Sequence, residues 1–226
     1  MIDYRVYLVT DEPSRYRGNW LDNVVAAVEG GVTCVQYRDT ENPPTAQYAR
    51  LLQLRDALRR SDAALVVNND ASLAKAVGAH GLHVGQDDMP LEAARAIVGL
   101  GVEIGLSITA KEQVAAACAA GRLGRAGGAD CLGIGPVYDA RKTKADAAAA
   151  MGLAGLSAVV SEVGRLVAPH SCGLVAIGGI TLENAADVLA AGARGLAVVS
   201  AFSKADDPYD VARRFAALYE KGACDE

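Results

Sequence analysis

The strongest constraint on this chain is an eightfold alternation of short apolar runs with longer stretches rich in alanine and leucine. Such alternation is typical of consecutive βα units and a parallel sheet. The predicted strands span residues 5–9, 33–37, 64–67, 81–84, 103–107, 130–134, 174–177 and 195–199. The predicted helices span residues 20–30, 44–60, 71–77, 91–99, 110–121, 153–166, 182–191 and 207–221. Eight units predict closure into a TIM (β/α)8 barrel, an α/β fold formed as a single domain by residues 1–226.

An open, doubly wound sheet would also alternate strands and helices. Its dinucleotide-binding form carries a GxGxxG loop after the first strand. Here Thr10-Asp11-Glu12-Pro13 follows that strand instead, so the barrel is favoured. A long connection over residues 138–150 follows the sixth strand. Long βα loops in barrels tend to be functional.

Composition narrows the classes of partner. The net charge is −5 in 226 residues, and acidic and basic residues are interspersed, so no basic stripe for nucleic acid is expected. No apolar run approaches the ~20 residues that span a bilayer, and the N-terminus lacks a signal-peptide pattern. We therefore expect a cytoplasmic protein with small-molecule partners, no membrane association and, as an open possibility, a homo-oligomeric state. Five cysteines without CxxC spacing suggest neither a disulfide framework nor a zinc site.

Polar residues that follow the second strand form the first candidate site. Reactive groups of barrel enzymes lie at the carboxyl ends of the strands. Alternation places Gln36 and Arg38 on one side of the second strand. If that side faces the interior, burying the Arg38 cation without a partner costs free energy, and Arg38 is then expected to bind an anion. The alternative, a surface arginine paired with Asp39, stays open.

The third and fourth strands end in amides and carboxylates. Asn68-Asn69-Asp70 ends and follows the apolar run of the third strand, and Asp87-Asp88 lies just outside the fourth. Carboxylates at a strand end suit Mg²⁺, which proteins commonly hold through one or two carboxylates and substrate phosphates. Helix capping explains one residue of each group equally well. His83, near the end of the fourth strand, is interpreted as a hydrogen-bonded core or supporting residue, and Ser107 places a hydroxyl at the rim.

The seventh and eighth strands predict a phosphate site. Gly178 and Gly179 separate the seventh strand from a helix predicted to open near Thr181, and Ser200 follows the eighth strand. Glycines between a strand and a helix expose backbone N–H groups to an anion. In many barrels the loops after these two strands bind phosphate together.

Taken in order, these segments resemble the thiamine phosphate synthase family over nearly the whole chain. The matching elements are residues 7–11, 31–38, 66–68, 81–90, 105–107, 132–138, 143–144, 176–180 and 198–201. The resemblance implies an α/β barrel transferase that joins hydroxymethylpyrimidine diphosphate to thiazole phosphate, releasing pyrophosphate with the help of Mg²⁺. A related thiazole tautomerase and a non-catalytic barrel that binds thiamine or thiazole phosphate remain the alternatives.

The resemblance also implies roles for individual residues. The pyrimidine diphosphate would contact Gln36, Arg38, Asn68, Ser107 and Lys144, of which Arg38, Ser107 and Lys144 would be catalytic. The thiazole phosphate would contact Thr143, Gly179, Val199 and Ser200. Asp88 would bind Mg²⁺, together with Asn69 or Asp70.

Three departures from the family pattern concern the diphosphate side. Thr40 stands where the family has a lysine, and Asn69 stands where it has a metal-binding aspartate. The loop after the sixth strand is one residue longer than the family's and lacks its first threonine. We therefore expect one diphosphate contact fewer and weaker Mg²⁺ binding, with Arg141 or Lys142 replacing the cation lost at position 40.

Overall fold

A computed structural model describes residues 1–123, 127–140, 148–168 and 172–220. Within these ranges eight parallel strands pair in chain order, and the eighth pairs with the first to close a barrel. The predicted fold class is confirmed. The described part of the chain contains no helix long and apolar enough to cross a membrane.

The strands lie within one residue of their predicted bounds. They are β1 Val6–Val9, β2 Cys34–Tyr37, β3 Ala64–Asn68, β4 Gly81–Val84, β5 Glu103–Ile108, β6 Cys131–Ile134, β7 Gly173–Ile177 and β8 Gly195–Val198. The helices are α1 Trp20–Glu29, α2 Pro44–Leu58, α3 Ala71–Val77, α4 Leu91–Val98, α5 Lys111–Ala119, α6 Gly152–Leu166, α7 Ala185–Ala190, α8 Ser200–Ser203 and α9 Pro208–Glu220. A 3₁₀ turn spans Pro13–Arg15.

Two elements near the strand ends differ from expectation. The one-turn helix α8 follows β8 directly and was not predicted. Helix α7 begins at Ala185, because Asn184 accepts a hydrogen bond from the Thr181 N–H and holds residues 181–184 as a turn. The double glycine therefore opens a turn rather than a helix.

Large apolar side chains fill the layer between the barrel and its helices. Leu8, Leu51, Ile104, Leu156 and Phe215 are among those that are fully buried there. Apolar burial at ~25 cal/mol per Å² makes this layer the main source of stability.

The lumen of the barrel holds a second, smaller cluster. Cys34, Ala64, Cys131 and Ala197 point into it from four different strands. Barrel interiors are usually filled by bulky branched residues. Small side chains leave room here, so the lumen opens into a cavity at the carboxyl ends of the strands.

Candidate active site

A cavity of about 280 Å³ opens at the carboxyl ends of the strands and extends into the lumen. Seven of the predicted site residues line it, and they come from five different strand ends. They are Gln36, Arg38, Asn68, Ser107, Gly179, Val199 and Ser200. The fold therefore brings into one space most of the residues that the sequence assigned to two ligands. Thr143 and Lys144, together with Arg141 and Lys142, lie outside the described residues.

Arg38 faces the cavity without a carboxylate partner among the described residues. Asp39, its sequence neighbour, instead accepts hydrogen bonds from Arg50 Nη1 at 2.8 Å and from the Tyr37 hydroxyl at 2.8 Å. Burial alone would raise the pKa of Asp39, but hydrogen bonds from Asn42 and Tyr37 outweigh it and hold the pKa below its usual value. The interpretation of Arg38 as a surface residue paired with Asp39 is therefore wrong. With no anionic partner among the described residues, the guanidinium is placed to bind an anionic ligand.

The floor of the cavity is polar but uncharged. Gln36 is buried and donates from Nε2 to the Tyr7 hydroxyl at 2.7 Å. Burial raises the pKa of Tyr7 and of Cys131, which also line the cavity, well above their ordinary values. Both groups are therefore protonated at neutral pH. Tyr7, Gln36 and Cys131 therefore offer hydrogen bonds to a ligand but no anionic nucleophile.

Asn69 and Asp88 meet beside the cavity mouth. Asn69 Nδ2 donates to Asp88 Oδ1 at 2.8 Å, and the Gly85 N–H donates to Asp88 Oδ2 at 2.6 Å. Among described residues other than glycine, Asn69 alone has a positive φ, at 63°, and asparagine tolerates this left-handed conformation better than most residues. Asp70 points away, because its Oδ1 caps helix α3 by accepting from the Leu73 N–H at 2.8 Å. Of the two predicted companions of Asp88, Asn69 is the one in contact.

This pair supplies one carboxylate and one amide oxygen. No group of three or more His, Cys, Asp or Glu side chains suited to a metal occurs within the described ranges. The donor set nevertheless fits Mg²⁺, because this ion is often held by a single carboxylate while water and substrate phosphates complete its shell.

Thr40 contacts only one of the two oxygens of the buried Glu12 carboxylate. The Thr40 N–H and hydroxyl both donate to Glu12 Oε1, at 3.2 and 3.3 Å. Glu12 Oε2 is buried and has no hydrogen-bond partner within the described residues. A buried acceptor without a partner costs free energy. The surroundings of position 40 therefore suit a cation better than the threonine that occupies it.

The double glycine after β7 forms a rigid backbone loop. Gly178 and Gly179 have φ values of 102° and 64°. A Cβ atom on Gly179 would lie 2.6 Å from the Tyr138 Cβ. The Gly178 carbonyl accepts from the Tyr138 N–H at 3.0 Å, and the Gly179 carbonyl accepts from Asn184 Nδ2 at 3.0 Å. Because both carbonyls accept hydrogen bonds from the protein, the carbonyls are turned away and the N–H groups of the loop face the cavity.

Unpaired backbone donors line the same wall. Within the described ranges, neither the Gly179 N–H nor the Val199 N–H donates a hydrogen bond to the protein. Ser200 begins α8 next to them. Lys204, which follows α8, also lines the cavity and has no acidic partner within the described part of the chain. Lys204 is not among the residues predicted from the sequence, because the one-turn helix that carries it to the cavity has no strong sequence signal.

His83 also reaches the cavity. Its Nε2 lies 3.0 Å from the Ser107 hydroxyl. The expectation of a hydrogen-bonded supporting residue agrees with this contact.

A closed barrel whose strand ends surround one polar cavity defines the class of (β/α)8 barrel enzymes. Comparison with known proteins narrows the class: a family model described as thiamine monophosphate synthase matches residues 6–202. The chain belongs to this family of transferases.

The sequences of relatives align with this chain over almost its whole length. Thiamine-phosphate synthase of Chloroflexus aurantiacus is 43% identical over 221 residues, covering 96% of this chain and 94% of the relative. That of Syntrophomonas wolfei is 39% identical and covers 97% and 98%. The solved structure of thiamine phosphate pyrophosphorylase from Pyrococcus furiosus superposes with a TM-score of 0.79 at 31% identity, covering 96% of both chains. The predicted family is confirmed.

Proposed function

We propose that this chain joins hydroxymethylpyrimidine diphosphate to thiazole phosphate, forming thiamine phosphate and pyrophosphate. One observation carries the proposal. The same cavity is lined on one side by the Arg38 cation with Asn68 and Ser107, and on the other by the N–H groups of Gly179 and Val199, and within the described residues neither the cation nor these N–H groups have a partner. Two separate anion-binding walls suit two phosphorylated substrates.

The donor occupies the wall formed by β2, β3 and β5 in this proposal. The C–O bond between the pyrimidine methylene and the diphosphate breaks, and its electron pair leaves with pyrophosphate. The aminopyrimidine stabilises the resulting carbocation, so the protein mainly has to stabilise negative charge on the leaving group. Arg38 supplies a positive charge, and Asn68 and Ser107 supply hydrogen bonds. Lys144, outside the described residues, is proposed as the second cation.

Asp88 and Asn69 would hold Mg²⁺ at this wall. The ion supplies further positive charge for the diphosphate oxygens when bound. The Asn69 amide now donates to Asp88, so a metal ligand at Asn69 requires the amide to present its oxygen instead. Because one carboxylate is fewer than the family's two, we expect Mg²⁺ to bind mainly together with the diphosphate.

The acceptor's monophosphate is assigned to the opposite wall. The N–H groups of Gly179, Val199 and Ser200 would bind its oxygens, with Thr143 beside them and the Lys204 ammonium adding a positive charge. The thiazole nitrogen attacks with its own lone pair, so no protein nucleophile is needed. This agrees with the neutral cavity floor. Holding the two substrates in line then accounts for much of the rate.

One assay tests the proposal against its alternatives. Purified protein is mixed with both substrates and Mg²⁺, and pyrophosphate and thiamine phosphate are followed, with EDTA added in a parallel reaction. We expect both products in equal amounts and their loss with EDTA. Isomerisation of a thiazole tautomer without pyrophosphate would identify a tautomerase. Tight thiamine phosphate binding without turnover would identify a binding protein.

A further inference from the structure

The His83 ring lies in the lumen against β5 and β6, next to Ser107. In the barrel register His83 of β4 pairs with Gly105 of β5, and Ser107 pairs with Gly133 of β6. A Cβ atom on Gly105 would overlap the His83 Nδ1 edge, and one on Gly133 would lie 2.7 Å from Cε1. The ring therefore needs a glycine on each of the two neighbouring strands. The lumen is shaped to hold this imidazole in one orientation.

That orientation directs Nε2 at the Ser107 hydroxyl, 3.0 Å away. The Ser107 carbonyl is held independently, since it accepts a hydrogen bond from Gln86 Nε2. Both the backbone and the hydroxyl of Ser107 are thus tied to β4 and the residues that follow it. A serine hydroxyl has one proton and two lone pairs, so a donor at Nε2 would occupy a lone pair and leave the proton for the cavity.

We infer that His83 is a positioning residue, which donates from Nε2 to Ser107 and thereby turns the Ser107 hydroxyl into a donor toward the departing diphosphate. The inference rests on the proposed function, because diphosphate oxygens only accept hydrogen bonds. An imidazole that accepted a hydrogen bond at Nε2 would engage the serine proton itself. Only the lone pairs of the serine oxygen would then face the negative charge that develops on the leaving diphosphate.

Four variants test this role by steady-state kinetics. Loss of a donor to developing charge lowers kcat by about 10²–10³-fold in other enzymes, and we expect at least about 30-fold for Ser107→Ala and a similar loss for His83→Leu. The double variant should be no slower than Ser107→Ala, since His83 then has nothing to position. His83→Gln keeps a donor near the position of Nε2 and should retain activity within about threefold of wild type.

The matched control is His80→Gln. His80 accepts from the Leu65 N–H at the opposite end of the barrel and does not line the cavity, so kcat should be unchanged. In all variants the KM for thiazole phosphate should stay near the wild-type value. Losses that multiply in the double variant, or a His83→Gln variant as impaired as His83→Leu, would overturn the inference.

The tautomer gives an independent readout that does not require turnover. The chain has three histidines, so ¹⁵N-histidine-labelled protein yields few signals, and His83→Gln assigns one of them. Correlations between the ring nitrogens and carbons should show the His83 proton on Nε2, both in free protein and with pyrophosphate and Mg²⁺ added. A proton on Nδ1 alone would contradict the inference. Failure of wild-type protein to make thiamine phosphate would reject the proposed function, whereas this spectrum would still report on His83.

Discussion

The two walls of the cavity are built by different means. The wall at β2–β5 relies on side chains: the Arg38 guanidinium, the Ser107 hydroxyl and, at the mouth, the Asp88 carboxylate. The wall at β7–β8 relies on the backbone, with the N–H groups of Gly179 and Val199 as donors. Side-chain sites can change with one substitution, whereas a backbone site depends on the conformation of the loop.

This contrast explains where the chain departs from its family. The departures that the family resemblance implies at Thr40 and Asn69 both lie beside the side-chain wall, since Thr40 is two residues after Arg38 and Asn69 contacts Asp88. Residues 176–180 and 198–201, on the backbone wall, are among the segments that carry the resemblance. We infer that the donor side carries the chain's individual properties, such as its metal dependence.

The largest effect should come from Arg38→Met. The substitution keeps much of the side chain's volume but removes the one described cation on the donor wall. Electrostatic stabilisation of a leaving group is often worth 10²–10³-fold in kcat, so we expect kcat/KM for the pyrimidine diphosphate to fall by about that factor. Arg213→Met, on the exposed surface of α9, is the control. A loss below about tenfold would show that the donor wall does not depend on Arg38.

Gly179→Ala tests the backbone wall. Its φ of 64° and its approach to the Tyr138 Cβ force the loop to shift, since an added Cβ would lie only 2.6 Å away. We expect the KM for thiazole phosphate to rise about 10- to 100-fold, as for the loss of one or two hydrogen bonds to a charged group. The KM for the pyrimidine diphosphate should stay nearly constant. Equal changes in both constants would mean that the two walls are not separate sites.

Gly164→Ala is the matched control for that variant. Gly164 lies in α6, and a Cβ atom there would meet nothing within 4 Å. Both KM values should be unchanged and the thermal midpoint equal or slightly higher, because alanine favours a helix over glycine by ~1 kcal/mol.

Much of this arrangement follows from the sequence, and the exceptions have physical reasons. Eight apolar runs, each followed by a helical stretch, predict eight βα units and therefore the barrel. The sites of barrel enzymes lie at the carboxyl ends of the strands, which places Arg38 and Gly179 at the same mouth. Whether Arg38 meets Asp39 or the cavity depends on Arg50, which lies on helix α2, 11 residues after Asp39. The choice between Asn69 and Asp70 likewise depends on which one caps α3. The sequence offers the candidates for such partners but does not decide between them.

Lys204→Met should have a smaller effect on the backbone wall. A single lysine at an open cavity mouth is screened by water, so we expect the KM for thiazole phosphate to rise about 5- to 10-fold. With the unphosphorylated thiazole alcohol as acceptor, wild type and variant should behave alike. Lys111→Met, at the start of α5, is the control. A KM for thiazole phosphate unchanged by Lys204→Met would show that backbone N–H groups alone bind the phosphate.

The smallest effect, and the only gain, should come from Thr40→Lys. The new ammonium would lie near Glu12 Oε2, which is buried without a hydrogen-bond partner within the described residues, and at the mouth of the donor wall. We expect the KM for the pyrimidine diphosphate to fall by about 2- to 5-fold, as for one partly screened charge. Combining Thr40→Lys with Glu12→Gln separates the effect of the lysine on the diphosphate from its pairing with Glu12. If the lysine serves only to pair Glu12, Thr40→Lys raises the thermal midpoint without lowering KM, and the donor wall of this chain is already complete without a cation at position 40.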